Sequence, residues 1–269
     1  MSMEIYYFSG TGNSLQVARE IHQRFPDSSL VPIMGLLNSE KIESNADAIG
    51  LVFPIHAFTF PWPVKRFLEK VNFGKASYIF AIATRECFAT VFSDIDKLLK
   101  RQNKRLDAFF SFEMPETYIP FFNVYPQEKC AQVETEMLKQ LAVIENTVVN
   151  KDIYRPRDHP GWFPLSHVIY PLITLWFQKI RFPDMEQSFF ADHNCIGCGT
   201  CESVCLTNKI RMENQRPIWR DEIKCAYCFA CLHYCPSQAI QLAGRNTIEK
   251  GRYHHPAIKV NDIIEQKST

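Results

Sequence analysis

The chain has 269 residues, 46% of them apolar, and a formal net charge of +1 from 30 Lys+Arg against 29 Asp+Glu. That balance excludes a strongly basic nucleic-acid binder and an acidic-tail protein, and 22% charged with 13% aromatic residues is wrong for a disordered chain. The length allows one large domain or two modest ones, either with a core that folds without disulfide staples.

Met1 to Phe8 carries no basic n-region, apolar h-region or cleavage site, so no secretory signal is expected and a cytoplasmic protein is. Glu4 to Phe8 reads as a strand. Leu15, Ala18, Ile21 and Phe25 share one helical face, which predicts a helix over 14–25. Ser29 to Ile33 and Asp47 to Phe53 read as the second and third strands. A helix is predicted from Trp62 to Lys70, with Pro63 tolerated in its first turn. Ala76 to Thr84 and Arg105 to Met114 read as the fourth and fifth strands, on either side of a helix over 89–101. Gln127 to Asn150 reads as a long helix with a polar face. Five strands with interleaved helices predict one open, doubly wound α/β domain over residues 1–152, with a parallel sheet.

Residues 153–190 form a linker. Arg155-Pro-Arg-Asp-His-Pro-Gly161 is turn-forming, and the apolar stretch from Trp162 to Phe177 is broken by Pro164, Ser166, His167 and Pro171. It falls short of the ~18 uninterrupted apolar residues of a membrane span, so no transmembrane segment is expected. A helix packed between two domains is the leading expectation. Contact of 162–181 with a membrane surface is the alternative, because Lys179 and Arg181 follow the apolar run.

Eight of the ten cysteines lie between Cys195 and Cys235, in a unit spanning 191–242, with a polar tail over 243–269. Cys195, Cys198, Cys201 and Cys205 recur, shifted by 30, as Cys225, Cys228, Cys231 and Cys235. Both runs read C-x2-C-x2-C-x3-C. Three cysteines so spaced on a tight loop can surround three irons of a cubane. A four-thiolate zinc site is the rival, although zinc requires neither the third cysteine nor a duplicated run. A disulfide framework lacks the secretory signal that would go with it. The runs resemble those of bacterial two-[4Fe–4S] ferredoxins, small α+β domains in which the fourth cysteine of each run serves the other cluster. The resemblance implies one cluster on Cys195, Cys198, Cys201 and Cys235, and another on Cys225, Cys228, Cys231 and Cys205. Cys235-Pro236 keeps the usual ending, whereas Leu206 follows Cys205.

Between the first strand and first helix lies Ser9-Gly10-Thr11-Gly12-Asn13-Ser14. Two glycines, short hydroxyl and amide side chains, and a helix N-terminus suit an anion. The loop has Leu15 where a dinucleotide fingerprint needs Gly or Ala, and it lacks the lysine of a Walker A loop. The pattern is similar to that of flavodoxins, which implies a five-stranded 2-1-3-4-5 sheet and FMN. The same resemblance implies ring contacts from Pro54, Ile55, His56, Ala57 and Phe58, and from Thr84, Arg85 and Glu86. Phe58, Phe60 or Trp62 is expected to stack on the isoalloxazine, or else to pack against the linker helix. The chain departs from the flavodoxin pattern in lacking glycine between Gly50 and Gly74 and between Gly74 and Gly161.

Together the halves resemble a family of flavodoxin–ferredoxin fusion proteins from anaerobic prokaryotes, including Met114-Pro-Glu-Thr-Tyr-Ile-Pro120 and the Tyr-His-His-Pro stretch of the tail. The resemblance implies an iron–sulfur flavoprotein that moves electrons between two [4Fe–4S] clusters and FMN, as a redox carrier between protein partners. An FMN-dependent reductase of a small substrate is the alternative, with His56, Arg85 and Glu86 as candidate proton donors; a cluster-based redox sensor is a third. His254 and His255 are expected on an exposed loop, and Cys87 as a small apolar filler.

Overall fold

A computed structural model describes residues 2–85, 91–156 and 166–268. The short apolar segments of the first half pair into one sheet. Its strands are β1 (Met3–Tyr7), β2 (Ser28–Pro32), β3 (Ala48–Pro54), β4 (Tyr78–Arg85) and β5 (Ala108–Glu113), in the order β2-β1-β3-β4-β5. Each neighbouring pair is parallel. The middle strands β3 and β4 are buried along nearly their whole length, as strands covered on both faces must be. The cover comes from helices. Here α1 (Asn13–Arg24) packs against α4 (Gln127–Asn150), and α2 (Trp62–Lys70) against α3 (Val91–Leu99). This is the flavodoxin-like doubly wound arrangement that the sequence implies. The fifth strand starts three residues later than its composition suggests. Asp107 is held outside the ladder, its carboxylate accepting from the Ile79 amide at 2.8 Å. The expected 89–101 helix is described from Val91 and ends in a tighter turn over Lys100–Gln102.

The linker contains α5 (Ser166–Trp176), which runs through a wider turn (Phe177–Arg181) into α6 (Phe182–Gln187). Beyond it, β6 (Phe189–Ala191) pairs antiparallel with β9 (Ile240–Leu242), and β7 (Ile210–Glu213) with β8 (Arg216–Trp219). One-turn helices α7 (Thr200–Ser203) and α8 (Ala230–His233) follow the two cysteine loops. This small α+β unit has its own core around Leu232, Ile240 and Leu242, joined by Met185 of α6 and by Ile119 from the loop after β5. The tail returns to the larger domain, where Ile258, just before α9 (Val260–Ile264), and Ile263 within it enter the main core. Linker and tail thus both bridge the two units. Among the described residues no helix is long and apolar enough to cross a membrane.

Candidate cofactor sites

The carboxyl ends of β1, β3, β4 and β5 open on a cavity of about 470 Å3. It lies at the crevice where strand order reverses between β1 and β3, the position at which open α/β sheets bind ligands. Ser9, Gly10, Thr11, Asn13 and Ser14 line one part of it. Gly12 turns the chain into α1 with φ +98°, a conformation that costs a residue bearing a Cβ. Its amide donates to Ser9 Oγ at 3.2 Å. Among the described residues, the amides of Thr11, Asn13 and Ser14 have no backbone acceptor. They sit at the positive end of a 12-residue helix, which is the arrangement that a phosphate monoester completes. Several side chains of the loop are already engaged. Ser14 Oγ lies 2.7 Å from Thr84 Oγ1, Asn13 Nδ2 donates to Pro115 O at 3.0 Å, and Tyr253 donates to Asn13 Oδ1 at 3.3 Å. The backbone, more than those side chains, is what the loop offers an anion.

Pro54 to Phe58, Thr84 and Arg85 line the same cavity. The glycine-free loop turns by placing Ala57 (φ 47°) and Phe58 (φ 65°) in the left-handed region. His56 N donates to Thr59 O at 2.7 Å and Thr59 N to His56 O at 3.0 Å, which closes a two-residue turn. Such a conformation costs each non-glycine residue on the order of 1–3 kcal/mol. The linker helix helps to hold it, Thr174 Oγ1 donating to Ala57 O at 2.9 Å. Of the three expected stacking residues, only Phe58 reaches the cavity. Phe60 is 7% exposed and belongs to the sheet core. Trp62 Nε1 donates to Cys225 O at 2.8 Å, so it braces one domain on the other. Burial pulls the His56 imidazole down to about 4. It is neutral at pH 7 and carries no charge to lend as an acid. Glu86 and Cys87 lie outside the described residues.

Sequence reasoning missed much of the wall. Met114 to Tyr118 line the cavity from the loop after β5, followed by Phe121 and Phe122. Phe177 and Phe182 come from the linker, and Tyr227 and Phe229 from the second cysteine run. Met114 to Tyr118 fall in the Met114–Pro120 motif that carries part of the family resemblance, although nothing in that motif assigned them to the site.

The two cysteine runs repeat in conformation as well as in sequence. Gly197 (φ 69°), Gly199 (φ 74°) and Asn208 (φ 56°) correspond, 30 residues on, to Tyr227 (φ 53°), Phe229 (φ 56°) and Gln238 (φ 53°). The thiols group across the runs. Cys235, Cys198 and Cys195 act electrostatically on Cys201; on Cys231 the strongest are Cys205, Cys228 and Cys225, with Cys201 of the other group after them. Cys205, Cys225, Cys228 and Cys231 line one small cavity. Each fourth cysteine therefore faces the other run's first three. Burial, reinforced by neighbouring thiolates, pushes Cys201 and Cys228 up to about 12 and Cys225 and Cys231 well above the ordinary thiol range. Only bound cations would keep such groups as thiolates at neutral pH. The eight thiols form no disulfide. Among the described residues no three His, Cys, Asp or Glu side chains converge on a single ion. A zinc site holds its sulfurs about 2.3 Å from one metal, while a cubane takes one thiolate on each of its irons. Leu206, the departure from Cys-Pro, is 3% exposed and packs in the main core.

The phosphate loop and the second cysteine run touch. A Cβ on Gly10 would fall 2.2 Å from Cys228 O, and Cys228 lines both the large cavity and the small one. The tail fastens this junction. His255 N donates to Thr11 O at 2.8 Å, and the fully buried Gln266 accepts from Ser9 N at 3.0 Å and donates to Ser9 O at 2.9 Å. The expectation of an exposed histidine loop is corrected. His255 is 3% exposed with Nε2 3.0 Å from Glu134, and His254 stacks on Tyr234 with centroids 4.3 Å apart.

Residues 194–240 match the family model of the 4Fe–4S dicluster domain. A comparison with curated proteins finds no match. Among solved structures, the chain is similar to an archaeal flavodoxin at 11% identity, over 52% of this chain and 95% of that one (TM-score 0.32). It is similar to an FMN-dependent NADH-azoreductase from Bacillus anthracis, solved in complex with FMN, at 7% identity over 54% and 100% (TM-score 0.37). It is also similar to rubredoxin oxygen:oxidoreductase from Desulfovibrio gigas, at 14% identity over 54% and 36% (TM-score 0.33).

Proposed function

We propose that this chain, which joins a flavodoxin-like domain to a 4Fe–4S dicluster domain, carries two [4Fe–4S] clusters and one FMN and passes electrons between them on behalf of protein partners. The observation that carries the reading is Cys228, a ligand candidate of one quartet that is also a wall of the flavin-sized cavity. The bound groups supply the redox chemistry, since a cluster passes single electrons and FMN takes one or two. The chain supplies distance and environment. Its first-turn amides would hold the phosphate, while Ala57 and Phe58 would offer backbone and ring to the flavin. Phe177, Phe182 and Phe229 keep water away from the space beside Cys228. Fixing both centres in one chain replaces a bimolecular encounter with a high effective concentration.

Anaerobic purification with iron, sulfide and flavin quantification tests the reading. About eight irons and one FMN per chain are expected. Bound zinc without visible absorption would contradict it.

The aromatic lining of the cavity favours a second reading, in which FMN reduces a small planar substrate with electrons from the same clusters. A neutral His56 weakens it, because this candidate acid is uncharged at pH 7. Turnover of a small acceptor without carrier proteins would favour the enzyme.

A further inference from the structure

The 30-residue repeat places equivalent residues in opposite surroundings. In the first run Ile196 is 68% exposed, Cys198 is exposed, and a Cβ on Gly199 would meet nothing within 4 Å. Their counterparts in the second run are covered. Ala226 is 3% and Phe229 6% exposed, and Cys228 faces Gly10 and the large cavity. No cysteine of the first quartet lines that cavity, and one of the second does.

We propose that the two quartets act in a fixed order. Electrons arrive from a protein donor at the 195–198 loop and reach the flavin only through the quartet Cys205, Cys225, Cys228 and Cys231, with Cys228 as the ligand nearest the flavin. The proposal rests on the reading that this chain holds two clusters and FMN. Electron-transfer rates fall steeply with distance, so the quartet at the surface is the one a docked partner can reach. The quartet behind Gly10 is the one the flavin can reach. The donor is a protein because the loop presents an exposed apolar tip, Ile196, beside the exposed Cys198, and a side chain of that size gains by burial against another surface. Each donor molecule gives up one electron and leaves oxidised. Two such donations, with two protons from water, reduce one FMN by two electrons.

The test uses the holoprotein and, as probe, a bacterial two-[4Fe–4S] ferredoxin reduced and then freed of dithionite. Ile196→Asp should weaken ferredoxin binding, measured by calorimetry, and slow cluster reduction by it about tenfold, equivalent to the loss of one good apolar contact. Reduction by dithionite, iron content and FMN content should not change. Ile248→Asp, a substitution at another exposed apolar residue (55%) in the tail segment, should change none of these. On the inner side, Cys228→Ser should shift the visible bands of the bound flavin, and Cys198→Ser should leave them in place. Cys228→Asp, which keeps an oxygen for iron, serves if the serine variant loses its cluster. Unchanged ferredoxin binding in Ile196→Asp, or a flavin spectrum that answers to Cys198 as strongly as to Cys228, would overturn the order. A wild-type chain lacking FMN or the second cluster would instead overturn the reading beneath it.

Discussion

Gln266 shows how much one buried amide can hold. It is 0% exposed and pairs with both the N–H and the C=O of Ser9, at the root of the phosphate loop. Gln266→Ala would leave two buried backbone groups unpaired, at a cost of about 1–3 kcal/mol. Denaturant unfolding should show that loss, and FMN affinity should fall while iron content holds. His56 gives the residue scale a pH dependence. Its folded pKa of about 4 lies below the ordinary histidine value, so the unfolded chain binds a proton that the folded chain does not. Stability from this group is complete above about pH 6.5 and is lost as pH falls toward 4. A His56→Leu variant should show a shallower acid limb in unfolding midpoints measured across that window. Gly10, Gly12 and the eight cysteines were legible in the sequence because their spacing along the chain is itself the signal. Gln266 was not, because it meets the site only through tertiary contacts. For Gln266 the partner is 257 residues away.

Among the elements, α6 is the one whose role the sequence left open. Glu186 accepts from Lys209 Nζ at 2.6 Å, from Tyr227 at 2.5 Å and from Cys225 N at 3.1 Å. A short linker helix thereby fixes the second cysteine loop from behind. The Lys209 side chain is 3% exposed and also donates to Arg220 O at 2.7 Å and Ile223 O at 2.8 Å, so Glu186→Ala would leave its buried charge with carbonyls but no counter-ion, at a cost of up to about 3–5 kcal/mol. Adding Lys209→Met should recover part of that loss, and the pair can be compared by thermal unfolding. The five strands were readable from their apolar runs, and α1 from its apolar spacing, since a doubly wound sheet buries those segments whatever else the chain does. A linker helix between two domains was also expected. Its interruption after Trp176 and the three contacts of Glu186 follow from how the domains meet, which no local pattern encodes. The turn at Ala57 and Phe58 is a related case. The loop departs from the flavodoxin pattern in lacking glycine, and contacts such as Thr174 to Ala57 O hold the left-handed residues that glycine would otherwise supply.

On the scale of the whole molecule, two domains that each look self-contained in sequence share a wall. Gly10 lies against Cys228, Trp62 bonds to Cys225, and Leu206 sits in the larger domain's core. The tail closes the seam, with Arg19 to Asp262 at 2.5 Å on one side and Lys267 to Ser203 at 2.6 Å on the other. Such an arrangement would hold the proposed centres at a fixed distance instead of leaving their encounter to diffusion. The central claim is therefore kinetic. Rapid anaerobic mixing of the holoprotein with a one-electron reductant, following cluster and flavin absorbance together, tests it most directly. Clusters should bleach first, and the flavin should follow at a rate that does not change with protein concentration. Flavin reduction that speeds up in proportion to protein concentration, or that never follows the clusters, would contradict it.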